Sequence, residues 1–231
     1  IANVEIWQRF DSKIDETKKY LMELDDGNII ETVAMFYKHG ITVCISTQVG
    51  CNMGCKFCAS TIGGKSRNLT AGEILGQITA VNAYLGGNTD KRQVTNVVLM
   101  GMGEPLDNFD NVIRFLQLIS DEKGVNIGMR HISLSTCGIV PKIKELEKLN
   151  LQLTLSISLH APNDAIRSSI MPINKKWNVD TLLKACRDYQ KVTTRRISFE
   201  YALIEGVNDT MECADTLAKI LKGIMCHVNL I

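Results

Sequence analysis

The sequence predicts an α/β protein: a partial barrel of six strand-helix units, (β/α)6, with a small β-hairpin at its N-terminal end. Three observations carry that expectation. Strand-like and helix-like patterns alternate from residue 41 to the end of the chain. The strand patterns keep one polar face, which fits a curved, partly open barrel better than a filled barrel core. Near the N-terminus, the turn-forming tetrapeptide Asp25-Asp26-Gly27-Asn28 separates two strand-like stretches, 18–24 and 29–37.

Taken in order, strand-like runs fall near 41–47, 94–101, 130–136, 151–159, 195–203 and 225–231. Helical stretches fall between them near 71–85, 109–120, 140–148, 179–190 and 210–222. Thr70 followed three residues later by Glu73 predicts a capping box, and Asn108 and Asp209 are candidate N-caps. In the fourth run Leu151, Leu153, Leu155, Ile157 and Leu159 alternate with Gln152, Thr154, Ser156, Ser158 and His160. Side chains of period two point to opposite faces, so one face is apolar and the other polar. His131, Ser133 and Ser135 repeat the pattern, as do Ser198 with Glu200 and Thr42 with Cys44 and Ser46. If the apolar faces pack on helices, the polar faces line an interior that holds something polar. Two parts follow: residues 1–38, an extension carrying the hairpin, and residues 39–231, the partial barrel.

The 231 residues, 45% of them hydrophobic, are enough to bury a large core. Net charge is +1 and the basic residues sit in small clusters, so charge alone does not announce a nucleic-acid partner. No apolar run reaches eighteen residues and no signal-peptide pattern opens the chain; a cytoplasmic location without a membrane is the expectation. The chain begins at Ile1 and stops at Ile231 within an apolar run, which suggests a fragment truncated at the C-terminal end of the barrel. Eight cysteines in such a chain read as reduced thiols or metal ligands rather than disulfides.

Three of those cysteines, Cys51, Cys55 and Cys58, form a C-x3-C-x2-C arrangement in the loop after the first barrel strand. Three thiolates so close together can hold an iron-sulfur cluster and leave one iron open to a small molecule. Zinc and structural cysteines are the alternatives. Structural zinc normally takes two separated ligand pairs, and no second pair of suitable spacing is evident. The second barrel strand ends in Met100-Gly101-Met102-Gly103-Glu104-Pro105, where glycines permit close backbone approach and Glu104 can accept from an ammonium group.

The cysteine motif, with Phe57 directly before the third cysteine, resembles that of the radical S-adenosylmethionine (SAM) superfamily. The resemblance implies a [4Fe-4S] cluster on Cys51, Cys55 and Cys58, SAM chelating the open iron, and the Gly103-Glu104 element holding the SAM amino group. Further segments narrow it: CISTQVGC over 44–51, MGMGEP over 100–105, LSTCG over 134–138, ISLHAPND over 157–164 and MPINKK over 171–176. Together they are similar to the RlmN-type family of dual-specificity adenine-C2 methyltransferases, from about residue 18 to the end. That resemblance implies 23S rRNA and tRNA as partners, a flavodoxin-like electron donor, and SAM contacts from Gly103, Glu104, Ser135, Ser158, Leu159 and His160. A monomer is expected.

In the family a C-terminal cysteine is methylated, its methyl group becomes a carbon radical that adds to adenine C2, and a second cysteine resolves the adduct by forming a disulfide. Cys44 matches the resolving cysteine and Glu31 the base that removes the C2 proton. The family's N-terminal RNA-binding domain and the segment with the methyl-carrying cysteine have no counterpart here, so this chain alone is not expected to complete turnover. Cys137, Cys186, Cys213 and Cys226 are not assigned to that role, and Cys186 and Cys213 read as structural. Lys65 and Arg67 are candidate RNA contacts, with solvated surface charge as the plainer reading. Adenine-C8 methylation of the Cfr type, and a radical enzyme acting on a non-RNA substrate, remain open alternatives.

Overall fold

The computed structural model describes residues 3–88 and 91–231. The first strands, β1 (Val4–Asp11), β2 (Lys18–Leu24), β3 (Ile29–Tyr37) and β4 (Gly40–Cys44), form an antiparallel meander. The expected hairpin is therefore β2–β3, turning at Asp25–Asn28 where Gly27 has φ +78°. An edge strand, β1, was not anticipated: only Val4 of it is buried, so its sequence shows little apolar alternation.

From β4 onward the sheet is parallel, in the order β4, β7 (Val94–Leu99), β8 (Ile132–Thr136), β9 (Thr154–Ser158), β10 (Ile197–Tyr201) and β11 (Cys226–Leu230). The small ribbon β5 (Gln48–Gly50) with β6 (Lys65–Asn68) brackets the cysteine loop. The crossovers carry α1 (Ala71–Tyr84), α2 (Phe109–Ile119), α3 (Val140–Lys148), α4 (Asp164–Ile170), α5 (Val179–Thr193) and α6 (Met211–Leu221). The six parallel strands agree with the expected partial barrel. All nine main strands belong to one open sheet, continuous through β3 and β4.

Between sheet and helices lies the core. Val43, Val97, Leu134, Leu155, Ile157 and Phe199 are completely withdrawn from solvent, as are Ile74, Ile78, Phe115 and Leu183 to within one per cent. Every second strand residue faces the other way. Ser133 and Ser156 meet across β8 and β9 with their hydroxyl oxygens 2.9 Å apart, and Ser135 and Ser158 stand 3.5 Å apart. This polar face borders a cavity of about 480 Å³ lined by Ser133, Thr154, Ser156, Ser198, Glu200 and His227, among others. The polar interior deduced from alternation is thus present.

Local signals set most helix starts. Thr70 accepts from the Glu73 N–H at 3.2 Å while Glu73 accepts from the Thr70 N–H at 2.8 Å, the reciprocal capping box. Two N-cap expectations need correction. Asn108 precedes α2 but makes no cap bond; its amide donates to the Thr47 and Leu69 carbonyls at 2.8 Å each, tying the helix to the β4 loop. At α6 the cap is Thr210, accepting from Cys213, while Asp209 accepts from Gly206 in the preceding turn. The short helix α4 was also unforeseen, because seven residues are too few to show a helical period.

Candidate active site

The cysteine loop runs between β5 and β6, over the C-terminal ends of the parallel strands. Gly50, at φ +75°, lets it pass beneath Gly64: a Cβ there would lie 1.8 Å from the Gly64 carbonyl oxygen. The Cys51 N–H donates to that carbonyl at 3.1 Å, and Cys58 donates to the Cys55 carbonyl at 3.1 Å. From below, the Lys56 N–H donates to the Ile170 carbonyl at 2.9 Å.

Cys51, Cys55 and Cys58 line one cavity of about 230 Å³ together with Gly103, Glu104, Ser135 and Ser158. Burial pushes the Cys51 thiol up, partly countered by the Met53 N–H, and pushes Cys55 up to about 12. Such a site favours thiolates only when metal supplies the compensating charge. Among the described residues no three His, Cys, Asp or Glu side chains are gathered tightly enough for a single metal ion. The three thiols nevertheless line the same cavity, and the preference for a cluster over mononuclear zinc rests on their C-x3-C-x2-C spacing in one loop.

At the end of β7, Gly103 sits at φ +102°, and a Cβ there would lie 2.6 Å from Gln48 Cβ and 2.8 Å from the Gln48 nitrogen. The close approach that its motif suggested is thus made to the neighbouring loop of the protein. Glu104 is 3% exposed, and burial raises its pKa. Its two oxygens accept from the backbone N–H groups of Leu106 at 3.0 Å and Cys137 at 2.7 Å. A carboxylate has about four acceptor sites, so Glu104 retains capacity for an ammonium group facing the cavity.

Leu159 and His160 do not line this cavity. Leu159 belongs to the core, and both its backbone groups are engaged, the N–H with Glu200 at 3.2 Å and the carbonyl with Arg167 at 3.1 Å. His160, at φ +55°, accepts the Ala202 N–H on Nδ1 at 2.9 Å and stacks edgewise on Phe57 at 4.8 Å. Burial, helped by the charge of Arg167, lowers its pKa to about 4, so the ring is neutral at pH 7.

Cys44 lies one strand away, paired in register with Val33 and Val98. Burial pushes its thiol up to about 11, against a partly offsetting Met100 N–H. Glu31 is on the adjoining β3, and its carboxylate pairs with Lys19 at 2.5 Å at a half-exposed position. Lys65 and Arg67 are committed within the protein: Lys65 pairs with Asp107 at 2.6 Å, and Arg67 with Asp26 at 2.6 Å and Glu73 at 2.7 Å. Cys186 is fully buried on α5 and Cys213 on α6 is nearly so, as expected of structural residues.

Sequence reasoning passed over Cys137, which lines the cavity beside Glu104, and Arg167 behind it. Cys137 stands in the LSTCG segment but is given no role, and Arg167 lies in no motif. Glu200, already placed on the polar face, lines both cavities and accepts from Ser198 at 2.9 Å and Asn229 at 2.7 Å.

The family model described as the radical SAM superfamily matches residues 45–217. The chain is 59% identical over 224 residues to a protein named probable dual-specificity RNA methyltransferase RlmN from Clostridium novyi, covering 97% of this chain and 64% of that protein. A protein of the same name from Clostridium botulinum is 57% identical over 231 residues, covering 100% of this chain and 65% of the relative. The chain thus spans slightly less than two thirds of the length of these relatives. Among solved structures, a radical SAM methyltransferase from Sphaerobacter thermophilus superposes with a TM-score of 0.94 at 44% identity, covering 100% of this chain and 67% of the other. HydG, a maturase of the [FeFe]-hydrogenase, shares the fold alone, with a TM-score of 0.57 at 16% identity over 80% of this chain and 41% of its own. With the cysteine loop, the glycine-glutamate element and the open parallel sheet assembled around one cavity, the chain belongs to the radical SAM superfamily.

Proposed function

We propose that this chain is the catalytic part of an RlmN-type methyltransferase that methylates C2 of adenine in 23S rRNA and tRNA through a methyl-cysteine intermediate. The observation that carries the reading is the convergence of Cys51, Cys55, Cys58, Gly103, Glu104, Ser135 and Ser158 on one cavity. The names of the similar proteins support the RNA substrate.

When bound, a [4Fe-4S] cluster and SAM would supply one-electron cleavage of SAM to a 5′-deoxyadenosyl radical. Cys51, Cys55 and Cys58 would hold the cluster. Glu104 would accept from the SAM ammonium, with its orientation already set by the N–H groups of Leu106 and Cys137. Ser135 and Ser158 offer hydroxyls on the adjoining strands, and Gly103, Leu159 and His160 would complete the SAM contacts, the last two from behind the residues that line the cavity.

Cys44 is the resolving thiol in this reading, on the cavity side of β4, and Glu31 takes the C2 proton after leaving Lys19. Burial keeps the Cys44 thiol protonated, so in this reading it attacks only after a base has taken its proton. Residues 1–38 extend the sheet beside the barrel of residues 39–231 and carry Glu31 to its edge. An accessible, splayed adenine is required, as for other enzymes acting on a base. The protein works in the cytoplasm as a monomer and takes electrons from a flavodoxin-like donor. Among the described residues, no helix is long and apolar enough to cross a membrane.

The test is to express the full-length gene from which this sequence comes in cells without their own C2 methyltransferase and to analyse nucleosides from ribosomal and transfer RNA by mass spectrometry. Appearance of 2-methyladenosine in both is the expected result. 8-Methyladenosine would move the enzyme to the Cfr type, and neither product, with SAM cleavage intact, would remove RNA as substrate.

A further inference from the structure

Arg167, on α4, is the largest of the completely buried side chains. Its guanidinium donates four hydrogen bonds: Nε to the Leu159 carbonyl at 3.1 Å, Nη1 to Asn174 Oδ1 at 3.1 Å, and Nη2 to the carbonyls of Cys137 at 2.7 Å and Ser158 at 3.1 Å. Every one of these acceptors is neutral. Among the described residues no carboxylate forms an ion pair with it. The carboxylate of Asp164, on the same helix, accepts from the Val179 N–H at 2.8 Å and the Asn174 amide at 3.0 Å through one oxygen, so it acts on Arg167 without a direct ion pair, across Asn174.

An arginine stays charged in proteins, and a buried charge without a counter-ion is costly. What surrounds Arg167 suggests where its counter-charge comes from. Helix α4 ends against the cysteine loop, where the Ile170 carbonyl accepts from Lys56 at 2.9 Å. Cys55 packs with Cys137, Ala161, Ile170 and Met171 in one small apolar cluster. The carbonyls that Arg167 grips belong to the ends of β8 and β9, next to Ser135 and Ser158 in the cavity.

We propose that Arg167 is a positioning residue that also acts as the buried counter-charge of the cluster: its fork fixes the ends of β8 and β9, and its charge offsets the cluster on Cys51, Cys55 and Cys58. The inference rests on the cluster reading above. A cubane held by three thiolates is a net anion and takes on further negative charge when reduced. A buried cation close by favours both states and the reduced one more, because the attraction is strong at low dielectric. Removing the charge therefore makes the cluster harder to reduce.

To test this, the full chain is reconstituted anaerobically with iron and sulfide as wild type, R167K and R167Q. Iron content, the midpoint potential from a titration followed by electron paramagnetic resonance, and Tm with and without cluster are measured. R167K is expected to hold iron with a midpoint at the wild-type value. R167Q is expected to hold iron with a midpoint shifted to more negative values and a smaller rise in Tm on cluster loading. A loaded R167Q with the wild-type midpoint overturns the proposal, and so does an R167K midpoint as low as that of R167Q. If neither variant shows native circular dichroism before iron is added, Arg167 is a structural residue only and the proposal falls. Failure of the wild type itself to take up iron sinks the cluster reading, and is distinguishable because Arg167 is then intact.

Discussion

The Oε2 atom of Glu104, at the end of β7, accepts the backbone N–H of Cys137, at the end of β8, at 2.7 Å. One side chain thus joins two strand ends and presents the rest of its carboxylate to the cavity. Glu104→Gln keeps the shape but must turn an NH2 toward either Leu106 or Cys137, leaving a buried donor unpaired. A loss of about 1–3 kcal/mol in urea unfolding is expected. In the reconstituted protein, SAM affinity measured by equilibrium dialysis should fall about tenfold or more, the cost of one charge-assisted hydrogen bond. Wild-type affinity in Glu104→Gln would remove this residue from SAM binding.

His160 links stability to pH. Its pKa falls from the ordinary 6.5 to about 4 on folding, mainly through burial. A lowered folded value means the unfolded chain binds the proton first as pH drops. The stabilisation is complete above pH 6.5 and is lost as pH falls toward 4, amounting to about 3 kcal/mol. His160→Asn tolerates the left-handed backbone and keeps an acceptor for Ala202. Urea midpoints of the metal-free protein should lose this part of their pH dependence in the variant; an unchanged profile would assign the acid lability to other groups.

Gly103 has no room for a side chain. With φ at +102° and a Cβ position 2.6 Å from Gln48, Gly103→Ala combines backbone strain with a clash, costing about 3 kcal/mol or more. Gly128→Ala is a useful control, since nothing lies within 4 Å of its Cβ position. Thermal melting should separate the two variants clearly, and equal Tm values would refute the close approach.

Replacing Cys51, Cys55 or Cys58 by Ser one at a time should abolish iron uptake on anaerobic reconstitution, because each supplies a separate ligand. Cys186→Ala, deep in α5, should bind iron like the wild type while losing stability by about 1 kcal/mol for its small cavity. Iron analysis and absorption spectra make the comparison, and retained iron in any of the three Ser variants would reassign the ligands.

Much of this architecture is legible in the sequence. The Thr70–Glu73 capping box, the Asp25–Asn28 turn and the serine faces of β8 and β9 are local or period-two signals, and each is found where expected. The cysteine spacing was equally readable, since three ligands of one cluster can come from a single loop. Signals spread over distant segments were missed. Asn108 looked like a helix cap, but its amide is drawn to the carbonyls of Thr47 and Leu69, which adjoin it only in the folded chain.

The sequence by itself determined the alternation of strands and helices, the polar lining of the sheet and the identity of the three clustered thiols, because each depends on neighbours within a few residues. Only tertiary structure decided that Glu104 bridges two strands, that His160 turns away from the cavity to meet Ala202 and Phe57, and that Arg167 lies buried behind the cysteine loop without a carboxylate partner. The physical reason is that a buried polar group is positioned by the hydrogen bonds available around it. For Arg167 those acceptors come from β8, β9 and the segment after α4, brought together only when the sheet and helices pack.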